Sequence, residues 1–299
     1  MVEIPFSTLK HWIEDLMDIA VNGVMNKDSI QRSANIAKKY LPDIDFMRNE
    51  INSEKGYIEI SNVPIDRTIP APPSDGFPHP DKSHISELCL LGVTYALGLN
   101  PFSYQEEKRG ALVHDIAPIS GNKTSVSSNG VISFDFHTDG AYLERHIRPH
   151  TLSLLCLVDT SETGTRLASL QEALQLLRTE EIDALMCDDY YHLPPETFHV
   201  QVSKRRSSVL DKVDGMYEVK AALHHSHGIT PLASNALNSL RSALQCVSIV
   251  KRWKPADIVI FSNLRCMHGR GEIKGERWLQ RCYGSYVFPS GTVFQLNQS

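Results

Sequence analysis

Hydrophobic residues near the N-terminus recur at helical spacing, whereas most later hydrophobic runs are short. The positions of Leu9, Trp12, Leu16 and Ile19 predict an amphipathic helix, and Ile30–Tyr40 predicts a second one. Further helices are predicted over Ile85–Leu97, Ala168–Met186 and Ser234–Trp253.

Short runs rich in β-branched and aromatic residues dominate between residues 111 and 288. With helices inserted among these runs and added in front of them, the pattern predicts a mainly β fold, a sandwich or barrel with helical support. We expect residues 1–299 to form a single domain in which residues 1–55 are a helical extension packed on the β core. The predicted strands are Gly56–Ile65, Ala111–Ile119, Val131–His137, Thr151–Val158, Phe198–Ser203, Tyr217–Leu223, Asp257–Ser262 and Gln280–Val287.

One connecting segment has an unusual composition. Pro70–Ser83 contains five prolines, which predicts an extended loop. Two interpretations stay open, a plain connector and a lid over a binding site.

The overall composition narrows the class of protein. A hydrophobic fraction of 41% with 22% charged residues is typical of a globular chain, and a net charge of −5 argues against nucleic acid as an obligatory partner. The start of the chain lacks the features of a signal peptide, and no apolar run reaches membrane-spanning length, so we expect a soluble, cytoplasmic protein. The six cysteines include no C-x-x-C pair, which is typical of reduced core residues.

A candidate metal site begins at His137-Thr138-Asp139. Residues i and i+2 of a strand face the same side, so His137 and Asp139 can bind one metal while Thr138 points away. His268 follows a predicted buried strand and is the best third ligand. Two imidazoles and one carboxylate form the facial triad of non-haem Fe(II). The alternative is a chance motif in which Asp139 merely caps the turn at Gly140.

Two arginines lie close behind the candidate ligand His268. Arg277 and Arg281 are four residues apart, so they project to one side whether the segment is a helix or a strand. A guanidinium binds a carboxylate through two hydrogen bonds, and two of them suit two carboxylates. The alternative is a pair of solvated arginines beside Glu276.

The chain resembles the Fe(II)/2-oxoglutarate dioxygenases, and among them the clavaminate-synthase-like (taurine-dioxygenase-type) group that hydroxylates free amino acids. The resemblance covers about Gly56 to Val287 and is strongest in Gly110–Ile116, Phe134–Tyr142 and Asn263–Arg281. It implies a double-stranded β-helix, or jelly-roll, core.

The resemblance also implies roles for individual residues. His137, Asp139 and His268 match the iron ligands, and Arg277 matches the residue that binds the distal carboxylate of 2-oxoglutarate. Thr165 matches a hydroxyl that also binds 2-oxoglutarate, with Thr163 as its rival. Arg281 matches the residue that holds the α-carboxylate of the substrate. The implied cofactors are Fe(II), 2-oxoglutarate as co-substrate, and O2.

The activity implied by the resemblance is hydroxylation of an sp3 C–H bond in a free L-amino acid or related small carboxylate, in specialised-metabolite biosynthesis. Oxidative cyclisation or desaturation by the same site is the alternative. Many close members carry glutamate where this chain has Asp139, and a carboxylate there argues against a halogenase. Two other classes stay open: a Zn-dependent hydrolase and a non-catalytic jelly-roll protein that binds a metal.

The segment before the last long helix bears on the substrate. Hydroxylases of basic amino acids can carry acidic side chains in this region, whereas this chain has His224, His225 and His227, which weakens an arginine or lysine substrate. The histidines either form a polar strand end or recognise a polar or anionic group of the substrate.

Overall fold

The structure, a computed structural model, describes residues 1–20, 25–74, 77, 82–119, 129–161, 163–195, 198, 200 and 204–298. The helices are α1 (Phe6–Ala20), α2 (Lys27–Tyr40), α3 (Ile44–Asn52), α4 (Ile85–Ala96), α5 (Leu170–Leu174), α6 (Thr179–Leu185) and α7 (Pro231–Val247). The strands are β1 (Val2–Glu3), β2 (Tyr57–Ser61), β3 (Asn100–Tyr104), β4 (His114–Ile116), β5 (Phe134–His137), β6 (Thr151–Asp159), β7 (Thr165–Ser169), β8 (Tyr190–His192), β9 (Arg205–Ser207), β10 (Leu210–Val213), β11 (Met216–Val219), β12 (Ser226–Gly228), β13 (Ile249–Lys251), β14 (Ile258–Ser262), β15 (Cys266–Arg270), β16 (Arg277–Ser285) and β17 (Thr292–Phe294).

The N-terminal helices have defined start residues. Asn26 caps α2, because its side chain accepts a hydrogen bond from the Ser29 backbone while the Ser29 hydroxyl accepts one from the Asn26 backbone. Asp43 caps α3 by accepting from the Phe46 backbone at 2.8 Å. Helices α1 and α2 confirm the sequence predictions. Hydrophobic spacing does not predict α3, which is short and leaves Phe46 exposed.

Two sheets form the centre of the fold. The larger has the strand order β1-β2-β14-β6-β16-β3-β17, with β4 also paired to β16, and the smaller has the order β13-β7-β15-β5. Along β6, Leu155 and Leu157 pack towards the N-terminal helices, whereas Leu154 and Cys156 pack between the sheets with Leu167 of β7. This arrangement confirms the predicted jelly roll.

Helices cover the outer face of each sheet. Trp12 of α1 and Leu90 of α4 share one hydrophobic core with Trp278 of β16, on the outer side of the larger sheet. Leu240 of α7 belongs to another core with Met267 of β15, on the outer side of the smaller sheet. The sheets are therefore shielded from outside, and the space between them is available for a site.

Two predicted helices extend too far. Residues 165–169 form strand β7, because they pair with β15, and only afterwards do α5 and α6 begin. The helix predicted over Ser234–Trp253 ends at Val247, and Ile249–Lys251 form β13, which pairs with β7. In both cases pairing with a strand distant in sequence overrides local helical propensity.

The remaining predictions have mixed outcomes. The helix predicted over Ile85–Leu97 is confirmed as α4, and the other predicted strands contain or overlap β2, β4, β5, β6, β11, β14 and β16. The sequence did not predict β1, β3, β7, β8, β9, β10, β12, β13, β15 and β17 as strands. The strand predicted over Phe198–Ser203 and the loop Pro70–Ser83 lie partly outside the described residues. Within the described residues, no helix combines the length and hydrophobicity needed to span a membrane.

Candidate active site

Neighbouring strands bring the two candidate histidine ligands together. His137 ends β5 and is paired with His268 of β15, and their ring centroids are 4.0 Å apart. Oδ1 of Asp139 lies 3.5 Å from Nε2 of His137 and 3.7 Å from Nε2 of His268. One potential ligand atom from each of the three residues lies within 4.8 Å of the others. This is the donor set that Fe(II) requires, with two imidazoles and one carboxylate.

The position of Asp139 differs from the expected one. Strand β5 ends at His137, so Asp139 lies in the following turn and not on the strand. Asn263 holds that turn, because its side chain accepts a hydrogen bond from the Asp139 backbone N–H at 2.8 Å and donates to the Asp139 carbonyl at 2.9 Å. The same amide donates to the Pro149 carbonyl at 2.8 Å. The Asn263 amide therefore fixes the backbone that carries the Asp139 carboxylate, and the sequence motif alone does not reveal this contact.

The protonation states of the triad suit metal binding. Burial, together with the neighbouring imidazole of His268, lowers the pKa of His137 to about 3, and burial lowers the pKa of His268 to about 4. Burial opposes ionisation of Asp139, but the Arg281 guanidinium and the two imidazoles hold its pKa below the usual value. Neutral imidazoles and an ionised carboxylate are the forms that bind a metal. Nδ1 of His137 is 2.9 Å from the Asp135 carbonyl oxygen, which leaves Nε2 for the metal.

Arg277 lies at the start of β16 and is almost completely buried. Its Nη2 donates to the hydroxyl of Thr165 at 2.7 Å, and the same hydroxyl accepts a hydrogen bond from Nε1 of Trp253 at 2.9 Å. Both Arg277 and Thr165 line the cavity that contains the triad. The hydroxyl of Thr163 instead donates to the carbonyls of Ser161 and Glu272. The structure thus brings Thr165, and not Thr163, next to Arg277.

Arg281 projects into the same cavity but already has anionic partners. Nη1 donates to Oδ2 of Asp139 at 2.7 Å, and Nη2 donates to Oε1 of Glu107. The Tyr283 hydroxyl lies 2.9 Å from Oε2 of Glu107 and 3.1 Å from Oδ2 of Asp139. Arg281 therefore has two carboxylate partners within the protein and does not depend on a substrate for an anion. Neither Glu107 nor Tyr283 was identified from the sequence, because no motif separates Glu107 from the adjacent Glu106.

Burial affects the carboxyl group of Glu107 strongly. Loss of solvent raises the pKa of Glu107, and the Arg281 guanidinium only partly offsets this effect. The imidazole of His114 lies 2.7 Å from Nη2 of Arg281, and burial lowers the pKa of His114 well below the usual value. Arg281 is therefore the cation at the centre of a buried polar cluster beside the candidate metal ligands.

The histidine run divides into two parts. His224 and His225 precede β12 and line the cavity, whereas His227 lies on β12 and is exposed. The ring of His224 is 5.6 Å from that of His137 and 4.6 Å from Phe134. The strand-end interpretation therefore fits His227, and the recognition interpretation stays open for the other two.

The fold and site together define a class of protein. A jelly roll that holds two histidines and a carboxylate at one cavity, with a buried arginine on the cavity wall, is typical of the Fe(II)/2-oxoglutarate-dependent dioxygenases. Residues 81–283 match the model of the family described as taurine catabolism dioxygenase TauD, TfdA family. The chain belongs to this family of oxygenases, and its cofactors are Fe(II), 2-oxoglutarate and O2.

Individual oxygenases are also similar to this chain in sequence or in structure. The chain is 27% identical over 239 residues to L-asparagine oxygenase of Streptomyces coelicolor, covering 76% of this chain and 70% of that protein. It is 27% identical over 251 residues to clavaminate synthase 2 of Streptomyces clavuligerus, covering 79% and 75% of the two chains. Among solved structures, asparagine oxygenase in complex with Fe(II), 2S,3S-3-hydroxyasparagine and succinate superposes with a TM-score of 0.85 at 24% identity, over 95% of this chain and 93% of the other.

Proposed function

We propose that this chain hydroxylates an sp3 C–H bond of a free L-amino acid, using Fe(II) held by His137, Asp139 and His268. The observation that carries the proposal is the pairing of β5 with β15, which brings two neutral imidazoles to the Asp139 carboxylate at the cavity. When bound, iron and 2-oxoglutarate supply the oxidising chemistry, in which O2 is consumed and 2-oxoglutarate becomes succinate and CO2.

Arg277 and Thr165 are the proposed site for the distal carboxylate of 2-oxoglutarate. The guanidinium is buried, its Nε lies 3.6 Å from Oδ2 of Asp159 without forming a hydrogen bond, and the Thr165 hydroxyl lies beside it. A buried guanidinium and a hydroxyl match the acceptor-only oxygens of a carboxylate. A Zn-dependent hydrolase would not need this second anion site, so the arrangement favours the oxygenase.

Arg281 and Glu107 are the proposed site for the charged groups of the amino acid. The two side chains form a buried ion pair on the cavity wall. A guanidinium beside a carboxylate is complementary to a zwitterion, because the substrate carboxylate can face Arg281 and its ammonium can face Glu107. Two relatives, L-asparagine oxygenase and clavaminate synthase 2, are named for amino-acid or natural-product chemistry, which supports a role in specialised-metabolite biosynthesis. Cyclisation or desaturation by the same site is the second candidate outcome.

Two further proposals concern the molecule as a whole. We propose that residues 1–299 form one domain, supported by the core that Trp12 of α1 shares with Trp278 of β16. We also propose a cytoplasmic location, supported by the six cysteines, which are all free.

The proposed function can be tested with purified protein, Fe(II), 2-oxoglutarate and a panel of L-amino acids. We expect one or more amino acids to stimulate succinate formation and to gain one oxygen atom, as measured by mass spectrometry. His268→Ala should lose bound iron and turnover, whereas His227→Ala, on the exposed part of the histidine run, should retain both. Full activity of His268→Ala, or hydrolysis by the zinc-loaded protein without consumption of 2-oxoglutarate, would contradict the proposal.

A further inference from the structure

The Tyr283 hydroxyl lies between two carboxylates of the cavity wall. Its oxygen is 2.9 Å from Oε2 of Glu107 and 3.1 Å from Oδ2 of Asp139, so the shorter contact is with Glu107. A tyrosine hydroxyl carries a single proton, whereas an ionised carboxylate only accepts hydrogen bonds. Tyr283 therefore donates fully to one carboxylate at a time, and its proton goes to whichever of the two accepts it more strongly.

Close packing fixes the ring of Tyr283 between these carboxylates. Tyr283 is 2% exposed, and its ring centroid lies 5.7 Å from that of Tyr104 and 5.3 Å from that of His114. The guanidinium of Arg281 lies over the same ring, 4.5 Å from its centroid. Because the ring is enclosed in this way, a change of acceptor requires only rotation of the O–H bond.

The two acceptors belong to different parts of the site. Glu107 is the proposed partner of the ammonium group of the amino acid, whereas Asp139 presents Oδ1 to His137 and His268. An ammonium group brings three donors and offsets the negative charge of the carboxylate that it meets. An ammonium bound at Glu107 therefore makes Asp139 the better acceptor for the Tyr283 proton.

We propose that Tyr283 is a positioning residue that transfers its hydrogen bond from Glu107 to Asp139 when the amino acid binds. A hydrogen bond on Oδ2 holds the carboxylate with Oδ1 directed to the metal, and loss of such a partner of a metal ligand typically costs about 10–100-fold in metal affinity. One hydroxyl group thereby couples occupation of the substrate site to the affinity for iron. This inference rests on the proposed function, which places the ammonium at Glu107 and iron at the triad.

A double-mutant cycle on Fe(II) binding, without oxygen, tests the transfer with the metal alone. Glu107→Gln imitates the occupied site, because its amide supplies its own donor and accepts less strongly than a carboxylate. With Glu107 present, Tyr283→Phe should change the Kd for Fe(II) only slightly. In the Glu107→Gln protein the same change should raise this Kd at least about tenfold. The effect of the lost Glu107 charge is common to both proteins of the second pair, so it cancels in the comparison.

A role of Tyr283 in packing alone would give the same change in both pairs, and that result overturns the proposal. Tyr286→Phe is the matched control, because it removes the hydroxyl of an exposed tyrosine that donates to Asn52. It should leave the Kd for Fe(II) unchanged in the presence of either residue at position 107.

A second measurement uses the amino acid that most stimulates succinate formation in the panel above. At a saturating concentration of this amino acid, Tyr283→Phe should raise the Kd for Fe(II) at least about tenfold even with Glu107 present. This measurement also decides the proposal if the Glu107→Gln protein does not fold. An effect of Tyr283→Phe that is the same with and without the amino acid overturns the coupling alone. If the unaltered protein binds no Fe(II), or if no amino acid stimulates succinate formation, the proposed function fails.

Discussion

The two oxygens of the Asp139 carboxylate have different neighbours. Oδ1 faces the imidazoles of His137 and His268, whereas Oδ2 is bonded to Arg281 and Tyr283. A carboxylate held in this way presents a single oxygen to a metal. The hydrogen bonds to Oδ2 also fix its orientation before a metal binds, which lowers the conformational cost of binding. Arg281 therefore contacts both the proposed metal site and the proposed substrate site.

Replacing Arg281 should separate substrate oxidation from consumption of 2-oxoglutarate. In Arg281→Ala, Glu107 and Asp139 lose their cation, and removal of one partner of a buried ion pair costs about 3–5 kcal/mol. We expect amino-acid-dependent turnover to fall by more than about a hundredfold and iron affinity to decrease, while slow consumption of 2-oxoglutarate without substrate persists at saturating iron. Succinate release with and without substrate measures the two rates. An equal loss of both rates at saturating iron would contradict the role of Arg281. The role would also be contradicted if methyl esters of amino acids reacted as well as the free acids.

Replacing Arg277 should weaken the binding of 2-oxoglutarate. Arg277→Gln removes charge-assisted hydrogen bonds to the distal carboxylate of 2-oxoglutarate, each of which contributes about 1.5–3 kcal/mol. The apparent KM for 2-oxoglutarate should therefore rise at least about tenfold. Arg178→Gln, at a side chain that is 76% exposed, is the matched control and should leave this KM unchanged. An unaltered KM in Arg277→Gln would show that another residue binds the carboxylate.

At the scale of single elements, the strands around the triad could be predicted only in part from the sequence. The motif His137-Thr138-Asp139 indicated the candidate ligands by their residue types, although Asp139 lies in the turn after β5 and not on the strand. The strand β7, which contributes Thr165, was partly predicted as a helix, because its identity depends on pairing with β15, about 100 residues away in sequence. Glu107 and Asn263 act through contacts with distant residues, so no local pattern could reveal them.

The spacing between β5 and β15 depends on a glycine. A Cβ at Gly269 would lie 2.8 Å from the Phe134 carbonyl oxygen and 3.1 Å from the Asp135 carbonyl carbon. Since both contacts are with backbone, a methyl group here must push β5 away from β15 and separate His137 from His268.

Gly269→Ala should therefore weaken iron binding and lower Tm. Overpacking typically costs about 1–3 kcal/mol, which corresponds to several degrees in Tm for a chain of this size. Gly271→Ala is the matched control, because its Cβ would meet only Thr163 Cγ2 at an ordinary 3.7 Å. Titration with Fe(II) and thermal unfolding measure the two effects. Equal iron affinity in the two variants would show that the register tolerates the added methyl group.

At the scale of the whole molecule, a buried ionic cluster joins helix α4 to the larger sheet. Lys82 is completely buried and lies 2.8 Å from Oε1 of Glu87 and 3.4 Å from Oδ2 of Asp66. Glu87, on α4, accepts a hydrogen bond from Gln280 of β16 at 2.9 Å. Because Gln280 directly precedes Arg281, this cluster supports the strand that carries both proposed anion-binding arginines.

The pKa of Glu87 gives the cluster a defined pH dependence. Burial alone would raise this pKa, but a hydrogen bond from His84 and the charge of Lys82 lower it to about 2 from an unfolded value of 4.5. A carboxyl group with a lowered folded pKa stabilises the protein above its unfolded pKa, and this contribution is lost as the pH falls from 4.5 towards 2. Stability should therefore decrease on acidification across this range.

Lys82→Met should destabilise the protein at neutral pH and much less in acid. At pH 7 the variant leaves Glu87 and Asp66 buried without their cation, which costs about 3–5 kcal/mol in the free energy of unfolding. Below the unfolded pKa of 4.5 these carboxyl groups can be neutral in the variant, so the difference from the unaltered protein should shrink. Lys39→Met, which removes a 62% exposed lysine paired with Asp15, should leave the free energy of unfolding nearly unchanged at either pH. Urea unfolding of the unaltered protein and the two variants at pH 7 and pH 4 measures these differences. If Lys82→Met lowered the free energy of unfolding equally at both pH values, Lys82 would contribute through packing and not through its charge.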